Sequence, residues 1–183
     1  LEADVIIIAD SGNVKIGVPT ITTTLRGLVD GIIEVDQPMR PIHSGVGGGV
    51  VPDAFMVLSR IISSFHDDKG NLMIEGLTST DMKVTELEES FLKKMLGSDD
   101  IALFDTESIS KRLWLEPALD VLAIDAPPVK EAVNLVIPKA RAKVSLRLPP
   151  TEDPDHAMKM LEEHIMKNIC LLYTSDAADD GSR

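Results

Sequence analysis

From Ala142 to Leu148 the chain alternates apolar Ala142, Val144, Leu146 and Leu148 with polar Lys143, Ser145 and Arg147. Period two puts the apolar set on one face, which predicts an antiparallel strand with one buried side. Three other stretches repeat at three and four residues, the helical signature. Pro52-Asp53 opens a helix carrying Phe55, Leu58, Ile61, Ile62 and Phe65. A second helix is predicted from Asp81 to Leu96, capped by Thr80 or Asp81, with Val84, Leu87, Phe91 and Met95 on one side and Gly97 as its stop. Asp153 caps a third, with Pro154 in the first turn and Ala157, Met160, Leu161 and Ile165 as the stripe. Ile109 to Leu113 predicts a further helical stretch, and Leu119 to Ile124 a strand closed by Pro127-Pro128.

The remaining segments read as strands and turns. Asp4 to Ala9 (DVIIIA) is a branched apolar run of the kind buried on both faces of a parallel sheet, and it ends at Asp10. Thr20 to Val35 is dense in Thr, Ile and Val and predicts a long strand or hairpin, with Gly27 and Gly31 allowing a bulge or close backbone approach. Gly45 to Gly49 predicts a flexible loop, and the turn 67–71 precedes a short strand from Leu72 to Ile74. The pattern as a whole is α/β: one strand from a first sheet, then an α+β unit of mostly antiparallel strands with helices on one face.

Composition narrows the function classes. Thirty Asp and Glu against eighteen Lys and Arg give a net charge of −12, which repels phosphate backbones and anionic membranes, so neither nucleic acid nor a membrane is an expected partner. Aromatics make up 3%, too few for base-stacking platforms. Residues 170–183 resemble a translated sequencing adapter rather than a protein element and are set aside as a tail. That removes the single cysteine, leaving no disulfide framework, in keeping with a cytoplasmic setting.

Few residues suggest chemistry. Asp10, at the end of its strand, is placed either to hold a metal or to cap the turn Ser11-Gly12. His43, before a glycine-rich run, has the chemistry of an acid, base or oxyanion donor, or is ordinary surface. The glycines fit neither a phosphate loop nor a dinucleotide fingerprint. His66, His156 and His164 form no metal-binding spacing and are expected to be structural or solvated. Arg147, on the polar side of its strand, would fork onto a carboxylate or pair with a neighbouring Glu.

Several motifs then occur in one order: Asp4 to Asp10, Ser11-Gly12-Asn13, Gly17-Val18-Pro19-Thr20-Ile21-Thr22, Leu25-Arg26-Gly27, His43-Ser44-Gly45, Gly48-Gly49 and Pro52-Asp53-Ala54. Arg112-Leu113-Trp114, Pro117-Ala118-Leu119 and the run from Asn134 through Ile137-Pro138 to Leu148 follow. Together they resemble the M20 family of dizinc, aminoacylase-like metallopeptidases, and within it the dipeptidase branch related to carnosine dipeptidases.

The resemblance implies a division into the end of a zinc-peptidase catalytic domain (1–17) and a two-layer lid or dimerisation domain (18–169). It implies that Asp10 is a ligand to one zinc, that His43 reaches across a homodimer to the partner's active site, that Arg147 clamps the C-terminal carboxylate of a short peptide, and that Asn134 lies in a substrate-contacting loop. The cofactor implied is two zinc ions per site in the intact enzyme, with manganese or cobalt as substitutes. In such an enzyme the metal would acidify a bridging water and a glutamate would take its proton. Leu135 stands where relatives often carry Thr, and Gly47 where an aromatic is common, which implies a looser His43 loop. One carboxylate does not hold a catalytic zinc, which needs about three protein ligands, so the chain alone is expected to be inactive. An N-acyl-amino-acid amidohydrolase and a non-catalytic dimerisation module are the alternatives.

Overall fold

The computed structural model describes residues 4–6 and 16–169. In chain order its elements are β1 (Gly27–Asp36), β2 (Ile42–His43), a one-turn helix α1 (Ser44–Gly47), α2 (Ala54–Ser64), α3 (Glu89–Leu96), α4 (Ile109–Trp114), β3 (Ala118–Asp125), β4 (Leu135–Val136), β5 (Lys139–Leu148) and α5 (Pro154–Asn168). β5 is the middle strand of an antiparallel sheet ordered β1-β5-β3, and β2 pairs with β4 in a separate two-stranded ribbon.

Alternation along β5 follows the sequence. Ala140, Ala142, Val144, Leu146 and Leu148 are buried against α2 and α5, which lie on the same face of the sheet. α2 contributes Val57, Leu58, Ile61 and the following Phe65, α5 contributes Ala157 and Leu161, and Ile33, Val35 and Leu119 close the core from the neighbouring strands. Burying a side chain such as Val144 or Leu146 contributes about 1.5–3 kcal/mol. The β1–β5 register sets Gly27 opposite Leu148, and a Cβ at Gly27 would stand 3.2 Å from that of Leu148, so a glycine lets the two backbones close there. The same face also latches helix to helix. The Nε2 of His164 lies 3.0 Å from the Ser64 hydroxyl and 3.1 Å from its carbonyl, and its ring stacks on Phe65 with centroids 5.5 Å apart.

The structure departs from the sequence pattern in several places. Residues 20–26 carry no strand, and Ile21 and Leu25 are exposed, so the strand predicted from Thr20 begins only at Gly27. Leu72 makes a single bridge to His66 in place of a strand. The helix predicted from Asp81 begins at Glu89. Ser110 binds the backbone ahead of Glu89: its hydroxyl accepts from the Leu87 N–H at 2.7 Å and donates to the Thr85 carbonyl at 2.9 Å, while Glu86 accepts from the Ser108 hydroxyl and the Ser110 N–H. These bonds to α4 replace the ones a helical turn would have made within itself. Ser145, expected to face solvent, is buried between its flanking strands. Residues 7–9 of the strand predicted over 4–9, Asp10 and the tail 170–183 lie outside the described residues. Val5 and Ile6, which are described, are exposed and in no strand.

Candidate functional site

His43 ends β2 and caps α1. Its Nδ1 accepts the Gly45 N–H at 3.0 Å. A backbone N–H only donates, so Nδ1 is the acceptor and the neutral ring carries its proton on Nε2. Nε2–H is thereby left as an exposed donor, the form an oxyanion requires. The glycines around it form a capped helical turn rather than a flexible loop. At Gly47, buried against Ile42, a Cβ would come within 2.8 Å of the Ile42 methyl, so a side chain there would displace the strand that carries His43.

Asn134 stands beside His43. The β2–β4 register pairs His43 with Leu135 and Ile42 with Val136, and the Ser44 N–H donates to the Asn134 carbonyl at 2.9 Å. The Asn134 side chain is exposed and makes no hydrogen bond among the described residues. Asp53 fixes this ribbon to the core. One carboxylate oxygen caps α2 by accepting from Phe55 and Met56, the other accepts from the Ile137 N–H at 3.3 Å, and Ala54 donates to the Ile137 carbonyl.

Arg147 is elsewhere. It lies on the sheet face opposite the helices, near the far end of β5, level with Leu28 of β1 and Ala118 of β3. The ribbon joins the sheet at the other end, where the Gln37 N–H donates to the Pro138 carbonyl just before Lys139. From Lys139 to Arg147 the strand rises about 26 Å.

The charges along this outer face are matched except at that corner. Lys139 pairs with Glu34 and Asp36, Arg141 with Asp125, and Lys143 with Asp30. Arg147 makes no hydrogen bond or ion pair among the described residues. Arg26 is its neighbour. Burial, and after it the positive charge of Arg147, hold the Arg26 guanidinium below its ordinary pKa, while Asp120 pulls the other way.

His43 and Asn134 therefore share one platform, Arg147 stands at the opposite end, and Asp10 lies outside the described residues. No group of three or more His, Cys, Asp or Glu among the described residues is arranged to hold a metal. No helix among them is long and apolar enough to cross a membrane. His156 is bonded to Glu152, and His164 is spent on Ser64. Arg26 was carried in the sequence only as part of Leu25-Arg26-Gly27. The signal for it was a base just ahead of a strand whose outward charges, Asp30, Glu34 and Asp36, are acids.

Comparison with known proteins places this geometry. Residues 23–169 match the peptidase dimerisation domain of M20 peptidases, and the chain belongs to that family. It is 39% identical over 167 residues to the cysteinylglycine-S-conjugate dipeptidase of Corynebacterium striatum, covering 89% of this chain and 37% of that protein. To the Cys-Gly metallodipeptidase dug1 of Schizosaccharomyces pombe it is 27% identical, over 91% of this chain and 37% of the relative. Among solved structures it is similar to the M20 family metallo-carboxypeptidase Sso-CP2 of Sulfolobus solfataricus, with a TM-score of 0.67, 25% identity, and coverage of 82% of this chain and 42% of that one. The chain thus spans a little over a third of the length of the curated relatives it matches.

Proposed function

We propose that this chain is the lid and dimerisation part of a homodimeric, metal-dependent cytoplasmic dipeptidase, acting on short peptides with a free C-terminal carboxylate. In this reading Arg147 forks onto that carboxylate, and His43 of the other copy donates a hydrogen bond from its Nε2–H to the carbonyl oxygen as it gains negative charge, with Asn134 alongside. A dipeptide of the cysteinylglycine kind is the substrate to test first, because both named curated relatives carry that substrate in their names.

The observation that carries the reading is the separation of the two ends. A two-residue peptide spans about 7 Å, against the roughly 26 Å of strand between the ribbon's end of β5 and Arg147. His43 and Arg147 of one copy therefore serve different substrates, and a complete set of contacts needs two copies. Asp10 is the metal ligand in this reading. The described residues alone do not form a metal site.

The test is subunit complementation in a complete M20 dipeptidase carrying this segment as its own lid. His43→Ala and Arg147→Ala homodimers are each impaired. Mixed dimers contain one site with Arg147 from one chain and His43 from the other, both intact. Equal mixing should restore about a quarter of wild-type activity, since half the dimers are mixed and half of their sites are whole. No recovery despite heterodimer formation would mean that both residues act within one chain, and the reading would fail.

A further inference from the structure

Arg147 shares its corner of the sheet with a second guanidinium. Arg26 lies just before β1, two residues ahead of Leu28, which is level with Arg147; continued one step past Gly27, that register sets Arg26 diagonal to Arg147, a relation that spans roughly 7–8 Å in a ladder. Arg26 is held in place from the other side. Its two terminal nitrogens donate to the carbonyls of Leu113 at 2.5 Å and Glu116 at 2.9 Å, in the turn leading into β3, whose Ala118 faces Arg147. The side chain thus crosses the end of β5 from one edge strand to the entrance of the other. Its Nε is buried and has no partner among the described residues.

Neither arginine has a carboxylate within ion-pairing distance among the described residues, although the chain carries thirty acids against eighteen bases; Asp120 acts on Arg26 through its field alone, and less than Arg147 does. Farther along β5 every outward base is matched. Like charges set close together repel, and a bound anion relieves that repulsion. Carbonyl bonds to both terminal nitrogens leave Arg26 little freedom to reach a ligand, but they fix its charge in position.

We propose that Arg26 is a positioning residue for the substrate's carboxylate: anchored on the Leu113 and Glu116 carbonyls, it adds a second fixed positive charge beside Arg147, and the two together favour an anionic carboxylate over an uncharged end. This rests on the reading of Arg147 given above. It goes further in giving the carboxylate site a second member that acts through charge rather than contact.

The probe is N-acetylglycine, titrated into the 183-residue chain at low ionic strength. Binding is followed by the arginine Nε–H resonances, with uncharged N-acetylglycinamide as control. The Arg147 resonance should shift saturably with the acid and not with the amide. Arg26→Gln should weaken binding about threefold, the effect of one unit charge over roughly 7 Å of water. It should also flatten the salt dependence, which a merely structural role would leave alone. Arg26→Lys keeps the charge without the fork and should bind nearly as wild type. If Arg26→Gln unfolds, Arg26→Met, which keeps the apolar stem and drops the charge, takes its place with the same two outcomes. Unchanged affinity and salt slope in a folded Arg26→Gln, with binding abolished by Arg147→Gln, overturn the role of Arg26 and leave Arg147 standing. No response of Arg147 to the acid in the wild-type chain overturns the Arg147 reading and this inference together.

Discussion

His43 and Leu135 face each other across the β2–β4 ribbon, so the imidazole and the Asn134 peptide beside it move as one unit. That unit is tied to the core through Asp53, which links a point of stability to a point of function.

Asp53→Ala removes the cap of α2 and leaves the Ile137 N–H without its carboxylate. The expected cost is about 0.5–2 kcal/mol, the range for losing a helix cap. Denaturant unfolding of the chain measures it, and an unchanged midpoint would show that the cap is replaced by water.

In a complete enzyme carrying this segment, His43→Ala should lower kcat about 10²–10³-fold with metal content unchanged, the size of a lost oxyanion donor. A drop in bound metal alongside the rate would instead place His43 among the ligands.

Arg147→Ala should raise KM for dipeptides with a free C-terminus and leave C-terminally amidated peptides nearly unaffected. Equal losses on both substrates would remove the carboxylate from its role.

The chain as it stands should retain no stoichiometric zinc after dialysis and hydrolyse no dipeptide, because Asp10 is the one ligand it is expected to bring. Metal analysis and a peptidase assay check this, and tight zinc retention would contradict it.

Burial, more than any neighbour, holds the His164 imidazole below its ordinary pKa, with the nearby Lys167 charge adding to it and the Ser64 carbonyl opposing. The neutral ring is the form the α2–α5 latch favours. Above the unfolded value of about 6.5 both states are neutral and this contribution is whole. As pH falls the unfolded chain protonates first, so stability declines until the folded value is passed. Unfolding midpoints should therefore drop between pH 7 and pH 5, and His164→Gln should flatten that slope. An identical slope in the variant would assign the effect to other groups.

Much of the fold was legible because its signals are local. β5 alternates cleanly, and α2 and α5 combine an aspartate cap with an apolar stripe. The stretch before Glu89 was misread for an identifiable reason. Val84 and Leu87 keep helical spacing, but Ser110, distant in sequence, takes up the Leu87 N–H and the Thr85 carbonyl and donates to the Glu86 side chain, so no helix forms there. Arg26 was legible as a motif letter only, since its importance depends on the turn at Leu113 and Glu116, about ninety residues away in the chain.

β3 carries a register shift between Val121 and Ala123, so Leu122 has no opposite number on β5. The strand is an edge of the three-stranded sheet, and it exposes Leu122 and Ile124. An even ladder of free amides beside such side chains would invite any extended polypeptide to add on and propagate into fibres. The extra residue kinks that ladder midway. A margin that could have seeded aggregation is thereby made a poor template for flat, repetitive stacking.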